Sequence, residues 1–242
     1  LTRARLAGIV PWEAITDETR PRAIWNVWAD PRAFMREHLD GFLKGYWRDL
    51  MQSQPNHIEV IVEKNTAWPI VKAVTAKYCI PTMSGRGFSS IDPYHDISQR
   101  YTRSGKQGLT LLIASDFDPE GEEIVQVAGR TLRDDFGIWS VELVKVAIRQ
   151  EQIGEFNLPP NLEAKESSSR YQKFVERHGA NVYELEAISP EQLQETLTEA
   201  IDSVIDIDAF NTELDAEKND AAFLQGVRNT VSEMLKELKL DE

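Results

Sequence analysis

Residues 109–121 read Leu109-Thr110-Leu111-Leu112-Ile113-Ala114-Ser115-Asp116-Phe117-Asp118-Pro119-Glu120-Gly121. The first six are almost uniformly apolar, as a strand is when both of its faces are covered in a parallel sheet. Asp118 and Pro119 then stand as N-cap and first helical residue, with Glu120, Glu122 and Glu123 placed to favour the helix dipole. The stretch therefore reads as strand, acidic loop and helix, the helix running over 120–136. Working toward the N-terminus, Ile58-Glu59-Val60-Ile61-Val62 is a β-rich run closed by Glu63. A helix is expected over 66–78, a second strand at Ile80-Pro81-Thr82-Met83, and a break at Ser84-Gly85-Arg86-Gly87. Residues 89–101 read as helix or loop. Toward the C-terminus, 139–148 (WSVELVKVAI) is a fourth strand. Strands alternating with helices predict βαβ units in an α/β fold: an open, mainly parallel four-stranded sheet flanked by helices.

The flanks are helical. Residues 1–8 read as the end of a helix closed by Gly8. Residues 31–52 carry apolar side chains at helical spacing after Pro31. Trp12, Trp25, Trp28 and Trp47 are expected to pack a subdomain; a base-stacking role needs them exposed. Residues 166–178 hold a charged helical piece. Ser189-Pro190-Glu191-Gln192 is a strong helix start, followed by Leu193, Leu197 and Ile201, and a last amphipathic helix covers 216–239. Three parts are expected: 1–54, a helical N-terminal element ending a preceding domain; 55–150, the α/β core; and 151–242, a helical extension.

Composition sets limits. One cysteine, Cys79, excludes an internal disulfide and a cysteine-built zinc site. No apolar run approaches the roughly 20 residues of a membrane span. The chain opens without Met or a signal-peptide pattern, so it reads as cytoplasmic and as the remainder of a longer protein. The net charge of −13 looks wrong for a nucleic-acid partner, but residues 1–110 hold 15 Lys and Arg against 11 Asp and Glu, so the acidity belongs to the second half.

Three acids stand at strand ends: Glu63 after the first strand, Asp116 and Asp118 after the third. In open parallel sheets, functional groups gather beyond the C-terminal strand ends. Residues i and i+2 of an extended segment share a side, so Asp116 and Asp118 converge and Phe117 turns to the core. If the first and third strands are neighbours, Glu63 joins them. Crowded carboxylates repel one another, and a divalent cation relieves that cost. Hard oxygen donors without His or Cys suit Mg²⁺. Read alone, the 118–123 segment is also an ordinary helix start. His38, His57, His95 and His178 are scattered singly and form no metal or triad pattern.

Val62-Glu63-Lys64, Ser84-Gly85-Arg86-Gly87-Phe88 and Ser115-Asp116-Phe117-Asp118-Pro119-Glu120-Gly121 together resemble the Toprim fold, in the variety found in the A subunit of topoisomerase VI and its reduced phage, plasmid and bacterial relatives. The resemblance covers residues 58–148. It implies Glu63, Asp116 and Asp118 as Mg²⁺-binding and catalytic acids, with a general acid/base role for Glu63. It implies DNA as partner, Lys64 and Arg86 as DNA contacts, and a homodimer, a state to which the amphipathic tail helices also point; an ATPase partner leaves no trace in the sequence. Glu120 falls where the family varies.

Family strand cleavage uses a tyrosine on a preceding winged-helix domain. None of Tyr46, Tyr78, Tyr94, Tyr101, Tyr171 or Tyr183 has that context, so the nucleophile is expected on an upstream segment or to be water, as in a Toprim nuclease. Two other classes compete. Haloacid-dehalogenase-type phosphatases also place DxD at a strand end, but on the first strand. A non-catalytic DNA-binding or assembly module would keep the acids as a feature of the fold.

Overall fold

The computed structural model describes residues 2–11, 25, 27–41, 45–85, 90–160 and 162–237. The chain divides into two compact units, residues 1–46 with 224–242, and residues 47–223. The first unit contains α1 (Thr2–Leu6) and α2 (Pro31–Gly41). Gly8 closes α1 in the left-handed region, φ 71°, and the Ile9 N–H reaches back 2.9 Å to the Ala4 carbonyl. Of the helix expected over 31–52, residues 31–41 are helical and residues 45–52 are not; Gly41 and Gly45 both weaken a helix there. No described residue of this unit is buried. Trp25 is 82% exposed, and Trp47, at the start of the second unit, is 74% exposed; neither packs as expected, whereas Trp28 meets the Phe34 ring edge-on at 4.8 Å. Trp12 lies outside the described residues.

The second unit holds β1 (Asn56–Val62), α3 (Trp68–Thr75), β2 (Thr82–Ser84), α4 (Asp92–Ser104), β3 (Gly108–Ala114), α5 (Pro119–Asp134) and β4 (Val141–Ala147). After these come α6 (Gln150–Glu155), β5 (Leu162–Glu163), α7 (Tyr171–His178), β6 (Asn181–Val182), α8 (Pro190–Val204) and α9 (Ile207–Glu237), the last passing into the first unit. Four strands form one parallel sheet in the order β2-β1-β3-β4. All seven residues of β3 are buried, which is why its sequence is apolar but for Thr110.

Strand pleating sends alternate side chains to opposite faces. Val60, Val62, Leu112 and Ala114 pack with Val71 and Val74 of α3 and with Leu193, Leu197 and Ile201 of α8. Ile61, Leu109, Leu111 and Ile113 pack with Tyr94 and Ile97 of α4 and with Ile124, Ala128 and Leu132 of α5. The result is a three-layer sandwich. The expected boundary at residue 150 is not a boundary of packing. Phe174, Leu185 and the α8 stripe belong to the same buried cluster as the sheet, and residues 151–223 fall in the same unit. No described helix is long and apolar enough to cross a membrane.

Candidate functional site

The strand order fixes the position of the acids. β1 pairs with β2 on one side and β3 on the other, so the chain reverses its direction of winding between β1 and β3, and a crevice opens beyond that point. Val62 lies opposite Ala114, and the Glu63 N–H donates to the Ala114 carbonyl at 2.9 Å. Glu63 and the Asp116–Asp118 loop therefore leave adjacent strands side by side. The Asp116 N–H donates to Glu63 Oε2 at 3.0 Å.

Each carboxylate has its own surroundings. Asp118 caps α5: its Oδ1 accepts the N–H of Glu120 at 3.0 Å and of Gly121 at 2.6 Å. Asp116 is buried. Its Oδ1 accepts the Leu185 N–H at 2.7 Å, and its Oδ2 lies 3.0 Å from Lys64 Nζ. Phe117 is buried between the aspartates, edge-on to Phe174 at 5.4 Å. Gly121 permits this tight loop, because a Cβ there would sit 2.2 Å from the Asp116 carbonyl oxygen.

The charges press on one another. Burial raises the Glu63 carboxyl above its ordinary value, and the charges of Asp116 and Asp118 add to the rise against the Asp116 N–H and Lys64. Burial likewise raises Asp116, with Asp118 adding to the rise and the Leu185 N–H and Lys64 opposing it. Lys64 is the local counter-charge. Burial opposes its ionisation, but hydrogen bonds to Glu186 and Asp116 outweigh this and raise its pKa. The pair is asymmetric because Asp116 is the more enclosed partner, with 10% of its side chain exposed against 23% for Lys64.

A strap from the C-terminal extension completes the site. Phe117 and Tyr183 exchange a pair of backbone hydrogen bonds, at 2.8 and 3.0 Å. This sets the Leu185 N–H on Asp116 and brings Glu186 to 2.7 Å and Glu184 to 3.7 Å from Lys64. Glu186 also accepts from Thr66 at 2.8 Å. Burial would raise Glu186, but Lys64 and Thr66 hold it below its ordinary value. Neither glutamate was expected from sequence. Glu184 precedes, and Glu186 lies within, a 3-10 turn over Leu185–Ala187, which brings both acids toward Lys64, but no local signal names Lys64 as their partner.

Two clefts meet here. Asp116 and Asp118 line one of about 410 Å³; Glu63 lines another of about 490 Å³, walled by α4 and α5. Glu120 lines both and is paired with Arg170 at 2.6 Å and Ser168 at 2.9 Å. Tyr94 lines the Glu63 cleft and Tyr183 the Asp116 cleft, both more than nine-tenths buried. Arg86, expected at a phosphate, lies outside the described residues. His57 lies 2.8 Å from the fully buried Glu59, which a bidentate pair with Arg100 also holds.

The acids suit Mg²⁺ in kind. Glu63 Oε1 and Asp118 Oδ2 accept no hydrogen bond from a described residue, and this ion needs only one or two carboxylates besides water and substrate oxygens. Asp116 is instead turned to Lys64 and the strap. Accordingly, no group of three or more His, Cys, Asp or Glu among the described residues stands ready to hold one metal ion. No protein-family model, curated protein or solved structure matches the chain, so the chemistry of this crevice rests on its own residues.

Proposed function

We propose that this chain is the Toprim-type part of a magnesium-dependent enzyme that cleaves DNA phosphodiesters or passes DNA strands. One observation carries the reading: Glu63 and the Asp116-Phe117-Asp118 loop leave adjacent parallel strands at the β1/β3 switch point. Glu63 and Asp118, each with an uncommitted oxygen, would hold the ion, with Asp116 beside them. When bound, Mg²⁺ stabilises charge on the attacking and leaving oxygens. The raised carboxyl of Glu63 suits it to take a proton from an attacking hydroxyl or water. Tyr94 and Tyr183 are too enclosed to meet an incoming strand. The nucleophile is then a tyrosine from another segment, as in topoisomerase VI A-like proteins, or water, as in a nuclease. A homodimer is part of the proposal. Leu6, Ile9, Trp25 and Val27 are exposed in a unit with no buried described residue, and a second copy would cover them.

A second reading has its own observation. Asp116 is neutralised by Lys64, and Asp118 is spent in part on capping α5. This is what a non-catalytic DNA-binding or assembly module would retain. Supercoiled plasmid incubated with the protein and Mg²⁺ separates the two. Asn caps a helix as well as Asp does, so Asp118→Asn removes the charge and keeps α5. Nicked, linear or relaxed products that vanish in Asp118→Asn and Glu63→Gln are expected. Unchanged plasmid with wild type, together with a melting temperature that Mg²⁺ raises equally in wild type and Asp118→Asn, would leave the module.

A further inference from the structure

Beside the acids, α7 turns one face toward the first turns of α5. Arg170, Lys173, Phe174, Arg177 and His178 follow one another at i, i+3, i+4, i+7 and i+8, a single stripe on a helix. They wall a groove of about 270 Å³. Glu176, the one acid of α7, does not line it.

The opposite wall contributes Glu122 and Glu123, and both are already matched. Glu122 pairs with Lys145. Glu123 pairs with Arg130 and lies 3.6 Å from Arg170. His178 is held by Gln150 at 3.1 Å and by the Phe117 and Phe174 rings. Lys173 and Arg177 remain. Both are exposed, and neither has a carboxylate partner among the described residues. Two unmatched cations on one groove wall, in a chain of net charge −13, call for an anion from outside.

We infer that this groove is a phosphate track, in which Lys173 and Arg177 hold backbone phosphates of a DNA strand next to the crevice. Arg177 offers a planar fork suited to two phosphate oxygens, and Lys173 offers a point charge. The groove adjoins the crevice on both sides. Arg170 lines it and the Glu63 cleft, and Pro119 lines it and the Asp116–Asp118 cleft. A strand seated along α7 therefore runs on to the acids. Naming DNA as the source of the phosphate rests on the function proposed above; the anion-binding character of the groove does not.

The test is fluorescence anisotropy with a labelled DNA duplex, in EDTA, across about 50–200 mM salt. Wild type is compared with Lys173→Gln/Arg177→Gln and with a control of equal charge, Lys72→Gln/Lys77→Gln, on α3 and the turn after it, where both lysines are exposed and line none of the three clefts. Each phosphate contact contributes about 0.9 to the slope of log affinity against log salt. The groove variant should lose about 1.8 from that slope and bind roughly 10–100-fold more weakly, while the control loses less than half as much. Equal affinity and slope for groove variant and wild type overturn the inference. So does an equal loss in the control, which would report net charge alone, and so does displacement of the duplex by millimolar inorganic phosphate, which would mark a free-phosphate site. With no divalent ion present, the result is independent of cleavage. Groove-dependent binding with unchanged plasmid and a melting temperature that Mg²⁺ raises equally in wild type and Asp118→Asn sinks the catalytic reading alone, and plasmid products with unchanged binding sink the groove alone.

Discussion

Asp118 does two jobs that substitution can separate. Its Oδ1 satisfies two N–H groups at the start of α5, and its charge faces Glu63 and Asp116. Asp118→Ala loses the cap, at about 1 kcal/mol, and should lower the melting temperature by about 2–4 °C for a unit of this size. Asp118→Asn keeps the acceptor and should melt within about 1 °C of wild type. If both variants melt alike, the cap is not what Asp118 contributes to stability. Gly121 is constrained by space rather than by φ. Its missing Cβ leaves room for the Asp116 carbonyl, 2.2 Å from where that carbon would be. The obstacle is backbone and cannot swing aside, so Gly121→Ala must shift the loop. The expected cost is about 1–3 kcal/mol, as for other overpacked sites, read as a fall in the thermal midpoint. A midpoint equal to wild type would mean that α5 starts farther from β3.

At the scale of elements, the start of α9 is tied to the turn before β1. Glu213 is buried and accepts from Arg48 Nε at 2.7 Å, from Gln52 at 2.8 Å and from Ser53. The Ser53 and Arg48 hydrogen bonds hold its carboxyl below its ordinary value of 4.5. A depressed carboxyl stabilises the fold above its unfolded pKa, and that contribution is lost as pH falls through the folded value. Glu213→Gln should therefore lower stability by about 1.5–3 kcal/mol at pH 7, and thermal melts should show the gap to wild type closing below about pH 4. A gap that stays constant down to pH 3 would remove the ionic account. This helix also shows where sequence reading stops. Its start was expected near residue 216, because the apolar stripe is clearest there. Asp206, which accepts the Ala209 N–H at 2.9 Å, opens it at Ile207 instead. Local chemistry was legible: the Ser189–Gln192 capping box, the Asp118 cap and the acids closing β1 and β3 are all written within a few residues. The strap was not legible. A two-residue strand has no periodicity to read, and the attachment of Tyr183 to Phe117 and of Glu186 to Lys64 joins residues 66 and 122 positions apart. The sequence therefore located the three acids and Lys64, the latter as a DNA contact, but neither the pairing of Lys64 with Asp116 nor the Leu185 N–H that completes it.

For the unit of residues 47–223, the consequence is that the α/β core does not end where the alternation of strands and helices ends. One face of the sheet is covered by α4 and α5, which lie within the βαβ run. The other is covered by α3 together with α8, Leu185 and Phe174, which follow β4. Val146, Ile148 and Phe117 are all at most 3% exposed because that later chain lies over them. Burial of such side chains stabilises by about 1.5–3 kcal/mol each, while a whole domain holds only about 5–15 kcal/mol in reserve. A chain cut after residue 150 would expose several at once, leaving Asp116 without the Leu185 N–H and Lys64 without Glu186. Residues 47–150 are therefore expected to show no cooperative melt by circular dichroism and to bind a hydrophobic dye, whereas residues 47–223 should melt in a single transition. Cooperative unfolding of the shorter piece would show that the strap and α8 are an addition to the site's scaffold rather than one of its layers.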